Sequence, residues 1–180
     1  MKRLTLALTL MGALLLIPST SFALVDANLM GGYSFQGKVD GVSGTQDGWD
    51  LGLTAHINFD LLVFLQFGIG ASYDWSNLDW ADDRNQIGLD LYGQVNIPFL
   101  PISPYVRFNT AVWDKVSGAV DNTEYFKSYK FGGGLLFTVL PIPKVLKIQL
   151  FGEYMYNFAK AGSADIKNHT VYLGIRTDFF

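Results

Sequence analysis

Ten charged residues share one habit. Lys38, Asp50, Asp74, Asp90, Arg107, Lys130, Lys147, Glu153, Arg176 and Asp178 each stand in a stretch where apolar and polar residues alternate. In an extended chain, period-two alternation puts every second side chain on one face. All ten then fall on the polar face, five cations against five anions. Buried charges persist when they are paired and hydrogen-bonded. The set therefore reads as an internal ionic network. Its rival is a narrow polar conduit whose selectivity those charges set. Arg107 with Asp90, and Arg176 with Glu153, are the pairs expected from neighbouring strands.

Other groups offer less. Asp79, Asp82 and Asp83 cluster beside Trp80, and three carboxylates could hold a divalent cation. Their spacing lacks the calcium-loop pattern, so a solvated acidic loop is expected. Gly132-Gly133-Gly134 lies mid-strand with no helix after it. Curvature or close packing accounts for it better than a phosphate cradle. His56 falls on the polar face of its stretch, and His169 lies near the outer end of the last one. No catalytic, cofactor or metal set is expected.

The elements that would carry these residues are eight alternating strands. They run over about 26–39, 48–59, 61–75, 85–97, 103–115, 125–140, 145–158 and 170–180. The fourth is the clearest: Ile87, Leu89, Leu91, Val95 and Ile97 oppose Gln86, Gly88, Asp90, Tyr92, Gln94 and Asn96. Connections alternate in length. Those at 58–61, 98–103 and 140–144 are short, and the last two carry Pro. Those at 40–47, 76–84, 116–124 and 159–167 are longer and polar. Short turns at one rim and long loops at the other are the pattern of a transmembrane barrel.

Alternation alone does not say which face points in. Volume does. The apolar set holds on the order of forty large side chains, and an eight-stranded barrel has an interior just wide enough to be filled by side chains. Only the opposite set fits, being rich in glycine: Gly32, Gly52, Gly68, Gly70, Gly88, Gly132, Gly134 and Gly174. The greasy face therefore looks at lipid. The four Trp, at 49, 75, 80 and 113, all fall near the outer rim, as an interfacial belt would place them. Strict alternation aims Trp113 inward, making it the odd member.

Composition agrees. The chain has 180 residues and no cysteine, which excludes disulfides, thiolate metal sites and a lipid-modified cysteine anchor. Lys2 and Arg3 precede an apolar run from Leu4 to Ile17, then Pro18-Ser19-Thr20-Ser21-Phe22-Ala23. That is the layout of a secretory signal peptide. The expected division is a signal peptide over 1–23 and a barrel domain over 24–180. Without Lys2 and Arg3, 11 basic residues face 16 acidic ones, a net charge of about −5, which argues against nucleic acid as a partner.

The final stretch reads T-V-Y-L-G-I-R-T-D-F-F. Val171, Leu173, Ile175 and Phe179 share its apolar face, and Phe180 follows. This ending, the "PFLPISPYV" turn and the eight alternating strands together resemble the outer-membrane protein β-barrel domain family, the OmpA/OmpX/OmpW-like small barrels. The resemblance implies an all-β, eight-stranded antiparallel up-and-down transmembrane barrel in a Gram-negative outer membrane. It implies an assembly signal at Val171, Leu173, Ile175, Phe179 and Phe180, read by the barrel-assembly machinery. It also implies contact with outer-membrane lipid and lipopolysaccharide, and a monomer. The implied roles are structural or surface-interacting through the outer loops, or a narrow channel for small polar or amphipathic solutes. Some barrels of this size are lipid-modifying enzymes that use His with Ser and an acid near the outer leaflet. Here Thr170 follows His169, and His56 lies near the opposite rim, so an enzyme is not expected. Cleavage after Ala23 predicts that the exported chain begins at Leu24, which intact-mass measurement of the membrane-associated protein checks.

Overall fold

The computed structural model describes residues 24–39, 46–62, 64–78, 81–117, 122–142, 145–161 and 164–180. Nine strands follow one another: β1 (Val25–Val39), β2 (Gln46–Leu62), β3 (Leu65–Leu78), β4 (Ala81–Val95), β5 (Ile102–Ser117), β6 (Asn122–Glu124), β7 (Ser128–Ile142), β8 (Leu146–Ala161) and β9 (Ala164–Phe179). Each long strand pairs antiparallel with its sequence neighbours, β5 with β7. Then β9 returns to β1, from Val25 opposite Phe179 to Val39 opposite Ile166. The result is a closed eight-stranded barrel. Closure matters because hydrocarbon offers no partner to an unpaired backbone N–H or C=O.

The side chains divide as the volume argument requires. Leu89, Leu91 and Ile175 are 51%, 44% and 48% exposed, whereas Asp90 and Arg176 are 0% and 3%. The apolar face is outward. The ionic face is inside.

The strands are longer than the alternation alone suggests. The eight barrel strands have 14 to 17 residues, whereas a tilted strand needs about 9–11 to cross the hydrocarbon. Two of the four expected long loops are mostly strand. The β3–β4 hairpin pairs up to Leu78 opposite Ala81, and the β8–β9 hairpin up to Ala161 opposite Ala164. In the third, the short strand β6 continues along the upper end of β5, with Val116 opposite Asn122. Beyond the apolar band the alternation loses its greasy partner, so polar strand reads as loop.

Two irregularities change which residues face inward. On β5, Trp113 sits opposite Ile87 while Ala111 sits opposite Gly88, leaving Val112 as an extra residue. This bulge turns Trp113 onto the lipid-facing side with Ile87 and turns Asp114 inward. The inward aim expected of Trp113 is thereby corrected. On β1, the register to β9 breaks between Phe35 and Lys38, and Gln36 has φ of 53°. Lys38 emerges on the outer surface opposite Lys167. It does not belong to the lumen set, because the one extra residue reverses the strand's parity.

Trp49 and Trp75 lie at the outer end with Trp113. Trp49 meets Tyr33 edge-on at 5.0 Å, and Trp75 Nε1 donates to Asp83 Oδ1 at 2.8 Å. Trp80, Asp79 and the side chain of Asp82 lie outside the described residues, so the acidic cluster is represented by Asp83 alone. The turn at the other rim is tight. Leu100 N–H reaches Ile97 C=O at 3.2 Å across Pro98-Phe99, with Phe99 at φ of 67°. Residue i+2 of such a turn favours glycine.

If the outward face lies in hydrocarbon, Leu89→Arg costs about 2–4 kcal/mol near the midplane. Denaturant unfolding in lipid vesicles measures it, and a change under about 0.5 kcal/mol, the usual size of a surface substitution, counts against the orientation.

Candidate functional site

The interior is the only place where the described side chains concentrate charge away from water, so it is the candidate site. Three tiers fill it. The first lies toward the outer rim. Asp114, turned inward by the β5 bulge, takes Arg84 Nε at 3.0 Å and Nη2 at 2.6 Å. Gln86 Nε2 donates to it at 3.0 Å, and the Ser128 hydroxyl also donates to it. Asp50 accepts from the hydroxyls of Ser34 and Ser76. Lys130 Nζ stands 3.3 Å from Asp74.

Arg107 dominates the middle tier. Its Nε and Nη2 fork onto Asp90 at 2.8–3.0 Å, and its Nη1 reaches Glu153 Oε1 at 2.5 Å. A guanidinium matches a carboxylate bidentately, which fixes geometry as well as charge. Tyr105 donates its hydroxyl proton to the other Glu153 oxygen at 2.8 Å, and Asn109 donates to Asp90 at 2.9 Å. His56 bridges this tier to the next, with Nε2 3.0 Å from Asp90 and Nδ1 2.8 Å from Asp26. Both contacts are hydrogen bonds when both ring nitrogens carry protons.

Arg176 dominates the third. It contacts Asp178 at 2.6 Å, Asp26 at 3.0 Å, Gln94 Oε1 at 3.1 Å and the Tyr92 hydroxyl. Its guanidinium also lies 4.5 Å from the centre of the Tyr92 ring. Lys147 Nζ is 2.8 Å from Asp178. Arg176 was expected to pair with Glu153. It does not: Glu153 belongs to Arg107, and Arg176 finds its acids on β1 and on its own strand. Arg107 and Asp90 do meet, as neighbours on β4 and β5.

Apolar side chains interleave with the charges. Met30, Leu136, Phe151, Met155 and Tyr172 form a buried inner cluster, which alternation alone did not single out. Rings lie over glycines on adjacent strands. A Cβ on Gly68 would fall 2.0 Å from the Tyr92 ring, and one on Gly32 would fall 2.5 Å from the Tyr172 ring. Gly32 and Gly68 are thus shelves on which large inward side chains rest. An internal cavity of about 20 Å³ is bordered by His56, Tyr92, Arg107, Glu153 and Arg176 among others. That is room for about one water.

Among the ten expected network residues, Asp50, Asp74, Asp90, Arg107, Lys130, Glu153, Arg176 and Asp178 are buried inside, Lys147 is half-buried beside Asp178, and Lys38 is outside. Asp26, Arg84 and Asp114 join the network unforeseen. Asp26 shares parity with Asn28, and Arg84 shares it with Gln86, so extending the alternation outward would have found both. Asp114 is out of phase with Arg107 and needs the bulge. Of the terminal set, Val171, Leu173, Ile175 and Phe179 are exposed on the outer surface, and Phe180 is half-buried.

Neisserial surface protein A has the same architecture, with a TM-score of 0.64 and 15% identity over 86% of this chain and 97% of that one. The shared fold is the closed eight-stranded antiparallel barrel that small outer-membrane proteins adopt. A designed transmembrane β-barrel gives a TM-score of 0.49 at 16% identity, over 88% and 97% of the two chains. Ail of Yersinia pestis, in complex with the heparin analogue sucrose octasulfate, gives 0.41 at 17%, over 84% and 98%. No protein-family model and no curated protein matches the sequence.

Removing one partner of a buried ion pair leaves an uncompensated charge and costs about 3–5 kcal/mol. Arg107→Met is expected to destabilise the barrel by that much in vesicle unfolding. The triple variant with Asp90→Asn and Glu153→Gln is expected to regain most of it, because the anions leave with the cation.

Proposed function

We propose that this barrel is an integral protein of the bacterial outer membrane with a structural or surface-interacting role, exercised at its outer rim. In this reading residues 1–23 direct export, and the terminal strand, with Phe179 and Phe180, is read by the assembly machinery. Lipid and lipopolysaccharide surround the outward face, and the chain works as a monomer without catalysis.

One observation carries the reading. The interior is packed across its section by the Arg107 and Arg176 tiers and by the Met30–Tyr172 cluster between the same walls. A solute would have to displace bidentate ion pairs and rings seated on glycines. Breaking even one such pair costs several kcal/mol. That supports a closed plug over a conduit, and it leaves the projecting hairpins as the surface available to partners.

Purified, folded protein in planar bilayers is expected to give no reproducible openings under applied voltage. Discrete, repeatable conductance steps would transfer the function to the lumen. Heat-modifiable gel migration with membrane fractionation checks the location: protein recovered in the soluble periplasm contradicts it.

A further inference from the structure

The feature that the lumen reading does not use lies outside, where Lys38 escapes. The bulge at Gln36 brings Lys38 into register with Lys167, directly across the β1–β9 pair. Like charges directly opposite one another destabilise a sheet. Here they border a recess of about 400 Å³ lined by Gln36, Lys38, Tyr156, Lys167 and His169. Lys160 stands close by. Two acids lie nearby among the described residues. Asp165 is shared, 3.5 Å from Lys160 and 4.0 Å from Lys167. Asp47 accepts from the Tyr33 hydroxyl and from Gln36 N–H. No ion pair reaches Lys38 among the described residues.

The wall of the recess is ordered by rings. His169 stacks on Phe35 at 5.9 Å and on Tyr154 at 5.8 Å, and meets Tyr156 edge-on at 5.3 Å. Its Nδ1 is bonded to the Tyr154 hydroxyl. With that hydroxyl donating, the ring proton sits on Nε2, which is then a donor. The recess therefore presents two ammonium groups and, in that tautomer, an imidazole N–H.

Its height on the barrel names the occupant. Along the outer face of β9, Ile175, Leu173 and Val171 give way to His169, Lys167 and Asp165. On β8 the corresponding change runs from Leu150 through Tyr154, Tyr156 and Phe158 to Lys160. Aromatic rings followed by lysines mark the level of lipid headgroups. We propose that Lys38, Lys167 and His169 form a seat for the phosphorylated headgroup of an outer-leaflet lipid, which bridges the two opposed lysines. The inference rests on the membrane placement proposed above and adds a specific contact to it.

The test uses folded residues 24–180 in nanodiscs of zwitterionic phosphatidylcholine, titrated with bisphosphorylated lipid A. Backbone amide shifts at Lys38, Lys167 and His169 are the readout. Saturable shifts are expected, and lipid A stripped of its phosphates is expected to give none. A lysine near an anionic surface is worth about fivefold in affinity, so Lys38→Gln/Lys167→Gln is expected to bind roughly 25-fold more weakly. The charge-matched pair Lys115→Gln/Lys127→Gln is expected to bind as the parent does. Equal binding of the stripped lipid, or unchanged affinity in the Lys38/Lys167 variant, overturns the seat. Inorganic phosphate saturating the site as tightly as the lipid overturns the lipid assignment. Heat-modifiable migration of the same discs separates the two ideas: an inserted barrel indifferent to phosphate sinks only the seat, and a chain that never enters the disc sinks the membrane placement.

Discussion

The constraint beneath everything else is the β1–β9 seam. A sheet in hydrocarbon has nowhere to put an unpaired edge, so the last strand must find the first. Once it does, eight strands enclose a bore of fixed and small cross-section. That bore decides the chemistry of the inward face. Glycine and serine fit, and the Tyr92 and Tyr172 rings fit because Gly68 and Gly32 on adjacent strands make room. The charges that fill it must be paired, because no bulk water reaches them. Closure, glycine content and ion pairing are consequences of one geometry.

Arg107 and Arg176 show how that geometry is used. Each guanidinium ties a paired neighbour of its strand to a strand farther round the wall. Arg107 on β5 holds Asp90 on β4 and Glu153 on β8. Arg176 on β9 holds Asp26 on β1 and reaches Tyr92 and Gln94 on β4. The hydrogen-bonded wall fixes neighbours side by side, and these cross-bore contacts fix opposite walls. A lysine in either position would supply the charge without the fork that grips two acids at once.

Much of this was legible in the sequence, and the failures are instructive. Period two showed the strands, and the size of the two sets showed which faced outward. Arg107 with Asp90 was readable because both sit in long, unbroken alternation on adjacent strands. Arg176 with Glu153 was not, because long side chains inside a narrow bore choose among several walls, and register alone does not rank them. Arg84 and Asp26 were hidden at strand ends, where the lipid-facing half of the pattern fades. Lys38, Trp113 and Asp114 were hidden by bulges, which leave no mark in hydrophobicity.

The surplus residue Val112 carries a wider meaning. In a closed wall with unlike faces, chain length is counted modulo two. Deleting or adding a single codon within a regular strand would deliver every later side chain to the wrong medium, up to the next turn. Such a gene tolerates length change inside its strands only in steps of two. Where a bulge has already spent the odd residue, as beside Trp113, a one-codon change trades carboxylate for indole between bore and bilayer. Diversification by insertion is thereby steered away from the walls and toward the hairpin tips.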